Sequence, residues 1–199
     1  MMQERIQEGL REAFEFAGNW PEKGVVNDFI PTISNIDPDL LSVCLTDMEG
    51  NTCFLGDTDY RYTLQSISKA VMLAYCLEHV PEDLLGNPGL DYSREVSRLG
   101  AVLAADGFDP VAKRQLISPK TSHTVRALIA GCGLYEETGA FNIEVGIPAK
   151  SGSSGVIMAA ARKKAGIAVF SPGLDPVGNS VRGMKALSFL SEKLDLRTM

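Results

Sequence analysis

Histidine is nearly missing from this 199-residue chain: His79 and His123 are the only two, far apart and without ligand-like companions. That argues against a histidine-based triad and against a zinc site. The four cysteines, Cys44, Cys53, Cys76 and Cys132, lack metal-type spacing and sit among apolar or glycine-rich neighbours. They are expected to be reduced, mostly buried thiols. No apolar run is long enough to span a bilayer. An excess of basic charge is lacking too. The formal net charge of −6 and the pI of about 5.0 argue against nucleic acid or an anionic membrane as a main partner. The first residues, with Gln3, Glu4 and Arg5, have no apolar signal core, so a cytoplasmic location is expected.

What the chain has is apolar content, 45% of it, enough for one sizeable core or a domain with a small subdomain. Ile6, Leu10, Ala13, Phe14 and Ala17 recur at three- and four-residue steps, which predicts an amphipathic helix over 3–17, ended by Gly18, Asn19 and Pro21. Phe29-Ile30-Pro31 opens a loop that closes at Asp37-Pro38. Leu41 to Thr46 and Thr52 to Leu55 read as two strands of a hairpin turned by Asp47-Met48-Glu49-Gly50. Ser66 to Val80 reads as a helix apolar nearly all round and stopped by Pro81. Gly86-Asn87-Pro88-Gly89 is the strongest breaker cluster. Helices follow near Ser93–Ala105 and Ser122–Ala130. Strands at Val156–Ala161 and Gly166–Phe170 flank a basic turn, and a last helix starts at Ser180. Strands from both ends with helices between predict an α/β fold with one antiparallel sheet joining N- and C-terminal segments, flanked by helices.

The chemistry concentrates at Ser66-Ile67-Ser68-Lys69 and Lys150-Ser151-Gly152. A serine and a lysine three residues apart share one helical face, and a neutral lysine can take the proton of a serine hydroxyl. With 15 serines and nine lysines in the chain, chance alone supplies about 0.7 such pairs, so the spacing by itself is a weak signal. A serine cap with a lysine snorkelling from the first turn is the competing reading. The apolar helix around Lys69 favours the chemical one, because burial would press the lysine toward its neutral form. Lys150 to Gly155 reads either as a flexible Gly/Ser loop or as an edge segment lacking bulk, open to a substrate backbone or carboxylate. Backbone N–H groups there and at Ser66 could make an oxyanion hole, and a positive Lys150 would draw in an acidic substrate. Tyr135 is either a surface aromatic or a phenol over the site.

Leu64-Gln65-Ser66-Ile67-Ser68-Lys69 resembles the serine-dependent glutaminases, relatives of penicillin-binding proteins and β-lactamases. Phe29-Ile30-Pro31 is similar to the family's Tyr-Ile-Pro, Ile117-Ser118-Pro119 to Leu-Ser-Pro, and Cys132-Gly133-Leu134-Tyr135 to Cys-Gly-Met-Tyr. Val145 to Gly152 resembles Val-Gly-Leu-Pro-Ala-Lys-Ser-Gly. Ser171-Pro172 with Leu174-Asp175, then Gly178-Asn179-Ser180, follow in the family's order. The resemblance spans 29–69 and 93–190.

It implies a single glutaminase-like domain over 1–199 with a β-lactamase-like fold, hydrolysing L-glutamine to L-glutamate and ammonia without metal or cofactor. Ser66 would be the nucleophile and Lys69 the base, with Tyr135 against the reacting group. The backbone of Ser66 and Ser153 would hold the oxyanion, and Gln65 and Lys150 would line the substrate site. A homo-oligomer is implied as well. Three departures stand out. Ser153 replaces the family's usual valine, and Phe29 replaces a site tyrosine. The family's central helical segment, with two asparagines, a glutamate and a tyrosine for the amino-acid end of glutamine, is missing between about 86 and 92. The alternatives are a degenerate, non-catalytic homologue that binds or assembles, and a hydrolase of another small amide.

Overall fold

A computed structural model describes residues 2–78 and 93–199. Its centre is a five-stranded antiparallel sheet in the order β2-β1-β7-β6-β5. The strands are β1 (Ser42–Asp47), β2 (Thr52–Gly56), β5 (Ala149–Gly152), β6 (Val156–Ala161) and β7 (Ala165–Phe170). β1 pairs with β7, Val43 opposite Val169, so the two ends of the chain share one sheet as the sequence implies. β1, β6 and β7 are buried throughout. Strands covered on both faces read as continuous apolar runs, which is why Val-Ile-Met-Ala-Ala-Ala and Ala-Gly-Ile-Ala-Val-Phe were legible as strands.

The period-2 alternation sorts two cores. Val43, Leu45, Ile157, Ala159, Ile167 and Val169 pack with Leu10 and Ala13 of α1 (Met2–Gly18) and Leu187 and Leu190 of α6 (Val181–Lys193). Cys44, Met158, Ala168 and Phe170 face the other way. They meet Ala70 and Ala74 of α2 (Ser68–Glu78), Val96 and Leu103 of α3 (Ser93–Ala104), and Val125 and Ile129 of α4 (Pro119–Cys132). α3 lies close on the sheet. A Cβ at Gly166 would sit 1.9 Å from the Ala101 nitrogen. Hydroxyls stitch the contact, Ser42 Oγ to Ser93 Oγ at 2.6 Å and Thr46 Oγ1 to Ser97 Oγ at 2.8 Å.

Several expectations shift. The helix expected from Ser66 begins as a 3-10 turn, Gln65–Ile67, before α2 proper. It is not buried all round: Ile67, Ala70 and Ala74 face the core, whereas Ser68, Lys69 and Met72 are exposed. A run of small and apolar residues hides an ordinary one-sided helix. The helix expected from Ser122 starts earlier, because Ser118 accepts the Thr121 N–H as N-cap and Pro119 suits the first helical position. Of the two readings left open for Lys150 and its neighbours, the edge segment holds: they form edge strand β5 and the turn after it. The 3-10 turn Tyr135–Glu137, α5 (Thr138–Glu144) and the two-residue pair β3 (Phe108–Asp109) and β4 (Arg114–Gln115) were not expected. Pro81, His79 and the turn at Gly86 to Gly89 lie outside the described residues.

Candidate active site

Ser66 sits mid-way along the 3-10 turn, half-buried, two residues before α2 starts. Gln65 has φ 48°, a left-handed backbone that is uncommon for a residue with a side chain. Its amide donates to Thr63 Oγ1 at 2.7 Å, and its carbonyl accepts Ser68 Oγ at 2.7 Å. This bent turn rests on β5. A Cβ at Gly152 would lie 2.7 Å from the Leu64 carbonyl oxygen and 3.6 Å from Gln65 Cβ. Gly152 therefore lets the serine turn touch the edge strand, and Ser153 follows it directly.

Lys69 is exposed, which corrects the apolar environment expected for it. The desolvated amine is Lys150, 8% exposed. In the β5 register Lys150 pairs with Met158 and so projects to the α2–α4 side of the sheet, while Ser151 pairs with Ile157 and projects to the α1–α6 side. Lys150 Nζ donates to the Gly133 carbonyl at 3.0 Å and the Ser151 carbonyl at 2.7 Å, and lies 4.8 Å from the centre of the Tyr135 ring. Burial, reinforced by the charge of Lys69 and opposed by Cys132, pushes its pKa down to about 8.

Tyr135 follows the end of α4 with φ 54° and 38% exposure. Its carbonyl accepts Thr138 Oγ1 at 2.7 Å, and the same hydroxyl accepts the Leu134 N–H at 3.0 Å. Gly133 makes the junction possible, since a Cβ there would be 1.8 Å from the Ala149 oxygen. Ser66, Gln65, Lys150, Ser153 and Tyr135 thus gather around one end of β5, with Lys69 on the adjoining helix turn. Phe29 does not join a packed site: it is 90% exposed.

Ser151 Oγ and Ser154 Oγ are buried and unpartnered among the described residues. Cys44 is buried, its thiol pushed up to about 12 by desolvation, but Cys132 is exposed, contrary to expectation. His123 is exposed on α4. Among the described residues no group of His, Cys, Asp and Glu could hold a metal, and no helix is long and apolar enough to cross a membrane.

An antiparallel sheet flanked by helices, with a serine turn leading the helix beside an edge strand that carries Lys-Ser-Gly, defines the β-lactamase-like α/β class. The family model described as Glutaminase matches residues 24–87 and 92–199, and the chain belongs to that family. Among curated relatives it is 44% identical over 104 residues to glutaminase 1 of Clostridium perfringens, covering 52% of this chain and 34% of the relative. It is 43% identical over 102 residues to the glutaminase of Shouchella clausii, covering 51% and 33%. The matched stretch therefore spans about a third of each relative's length. The solved structure of the probable glutaminase ybaS superposes with a TM-score of 0.88 at 23% identity, covering 98% of both chains. Bacillus subtilis glutaminase YbgJ, in a covalent complex formed by reaction with 6-diazo-5-oxo-L-norleucine, superposes with 0.83 at 21% identity, again over 98% of both.

Proposed function

We propose that this chain hydrolyses the side-chain amide of L-glutamine through an acyl-enzyme on Ser66. The observation that supports the reading is the contact of the Ser66 turn with the Gly152 edge of β5, the strand that carries Lys150 against the Tyr135 ring. Ser66 Oγ attacks the amide carbon while its proton passes to Lys69, one helical turn on, which lies exposed and must first give up its own proton to act as base. The backbone N–H groups of Ser66 and Ser153 take the oxyanion, a contribution of about 3 to 4 kcal/mol per donor. Ammonia leaves with the returned proton, and water splits the Ser66 ester to give glutamate. Gln65 lines the pocket, and Tyr135 lies against the reacting group. Lys150 spends two of its N–H bonds on backbone carbonyls, so its charge acts on the site from a fixed place. No step calls for a cofactor. A cytoplasmic homo-oligomer belongs to the same reading.

A second reading, a homologue that binds or assembles without turnover, is favoured by one observation. The family match breaks between 87 and 92, where the side chains for the amino-acid end of glutamine are expected, in a stretch outside the described residues. Action on another small amide would fit the same break in the match. Two measurements separate these. Ammonia release is followed with glutamine and with small amides, and the mass of the intact protein is taken after treatment with 6-diazo-5-oxo-L-norleucine. Wild-type chain that labels, with Ser66→Ala inert, supports the acyl-transfer site. Equal labelling of both would refute it.

A further inference from the structure

Tyr135 occupies a left-handed conformation that a side chain enters only when its surroundings over-determine it. Asn179 does much of this. It is fully buried, and its Nδ2 donates to the Leu134 carbonyl at 3.1 Å and to Glu137 Oε2 at 2.8 Å, one residue before Tyr135 and two after it. Asn179 Oδ1 is buried without a partner among the described residues, so the amide is oriented by the bonds of its nitrogen. Asn179 is held in turn by Asp175. The Asp175 Oδ1 accepts the N–H groups of Val177, Gly178 and Asn179 at 2.8, 2.8 and 3.0 Å. Gly178 in this turn lies against the Tyr135 ring, a Cβ there falling 3.6 Å from the ring edge.

We propose that Asn179 is the positioning residue for Tyr135, anchored through the Glu137–Asp175 carboxyl pair, and that it fixes the phenol over the reacting group. The role of Tyr135 at the reacting group rests on the proposed function; the positioning does not. Charged groups face Glu137 from each neighbouring element: Asp175 from the turn before α6, Lys185 from α6, and, in the same cleft of about 260 Å³, Glu144 of α5 and Glu22 after α1. Burial raises the Glu137 pKa above its ordinary 4.5 and Asp175 raises it further, while Asn179 and Lys185 oppose them. Glu137 therefore keeps its proton to a higher pH than an exposed carboxyl does. Ionisation sets two carboxylates against each other beside the Asn179 bond.

Tyrosine-ring carbon labels read the proposal without needing turnover. The Tyr135 signal is assigned by its loss in Tyr135→Phe. Tyr60 and Tyr62, stacked on Phe170 at 5.5 and 4.4 Å, report an intact core. The expected wild-type result is a shifted Tyr135 signal with an inflection at a higher pH than that of an exposed glutamate. Glu137→Gln keeps the shift and loses the inflection. Asn179→Ala collapses the signal to that of a solvent-averaged tyrosine while Tyr60 and Tyr62 stay put. An unchanged Tyr135 signal in Asn179→Ala overturns the proposal. If that variant does not fold, Glu137→Ala decides by the same criterion. In turnover, Asn179→Ala lowers kcat about tenfold with KM within threefold, but has less than a twofold effect in a Tyr135→Phe background. A full effect in both backgrounds also overturns it. Full turnover by Tyr135→Phe alone would instead sink the functional reading and leave the signal test standing.

Discussion

Lys69 and Lys150 differ in burial, and this difference decides how each should respond to substitution. Ser66→Ala is expected to abolish ammonia release and labelling without shifting thermal unfolding, since a half-buried hydroxyl on a turn carries no core packing. Lys69→Arg keeps the charge but cannot release a proton near neutrality, so it should cost as much activity as Lys69→Ala. An active arginine variant would reduce Lys69 to electrostatics. Lys150 predicts a stability signature. Its pKa is about 8 when folded and 10.5 ordinarily. Between those values the unfolded chain binds the extra proton, so stability rises with pH across the window, by at most about 1.4 kcal/mol per pH unit. Below the window the burial cost is present in full. Urea unfolding from pH 7 to 10 should show this rise in wild type and not in Lys150→Met. The residue types of the proposed site come from Ser-x-x-Lys and Lys-Ser-Gly, but their burial was not legible. Which lysine is desolvated depends on the face each helix or strand turns inward, and α2 turns Ile67, Ala70 and Ala74 inward instead of Lys69.

The elements differ in how much their sequences disclose. β6 and β7 are apolar runs about a basic turn, and α1 has a clean stripe, so all three were readable. β5 was readable only as one of two alternatives, because an edge strand pairs on one side only and tolerates Lys-Ser-Gly, a composition that also suits a loop. The left-handed residues Gln65 and Tyr135 carry no glycine to announce their turns, and the seven-residue α5 is too short for a periodic signal. The joint between α4 and β5 is the element contact on which the site depends. Gly133→Ala would press a methyl group into the Ala149 and Ile129 carbonyl oxygens, 1.8 and 2.4 Å away. A loss of about 1 to 3 kcal/mol, or more, is expected, read as a lower urea midpoint, together with reduced turnover. Gly131→Ala, two residues earlier on α4 with nothing within 4 Å, is the control and should gain about 0.5 to 1 kcal/mol. Equal effects of the two substitutions would mean that the close approach at Gly133 does not matter.

At the scale of the molecule, the sheet and its two helical layers are present among the described residues, with the Ser66 turn, Lys150 and Tyr135 beside β5. The family match nevertheless breaks between 87 and 92. We propose that the central segment is deleted there, and with it the polar groups for the amino and carboxylate ends of glutamine. Each such charged hydrogen bond is worth about 1.5 to 3 kcal/mol, so losing several weakens binding by orders of magnitude. Phe29, exposed and without a hydroxyl, offers no replacement. The most direct measurement is steady-state ammonia release from glutamine by chain whose intact mass is that of the 199 residues, beside Ser66→Ala. The expected result is slow release, with KM far above that of a full-length relative assayed in parallel, and no release at all from Ser66→Ala. Release by Ser66→Ala equal to wild type would contradict the acyl-transfer site, and turnover matching the full-length relative would contradict the lost pocket.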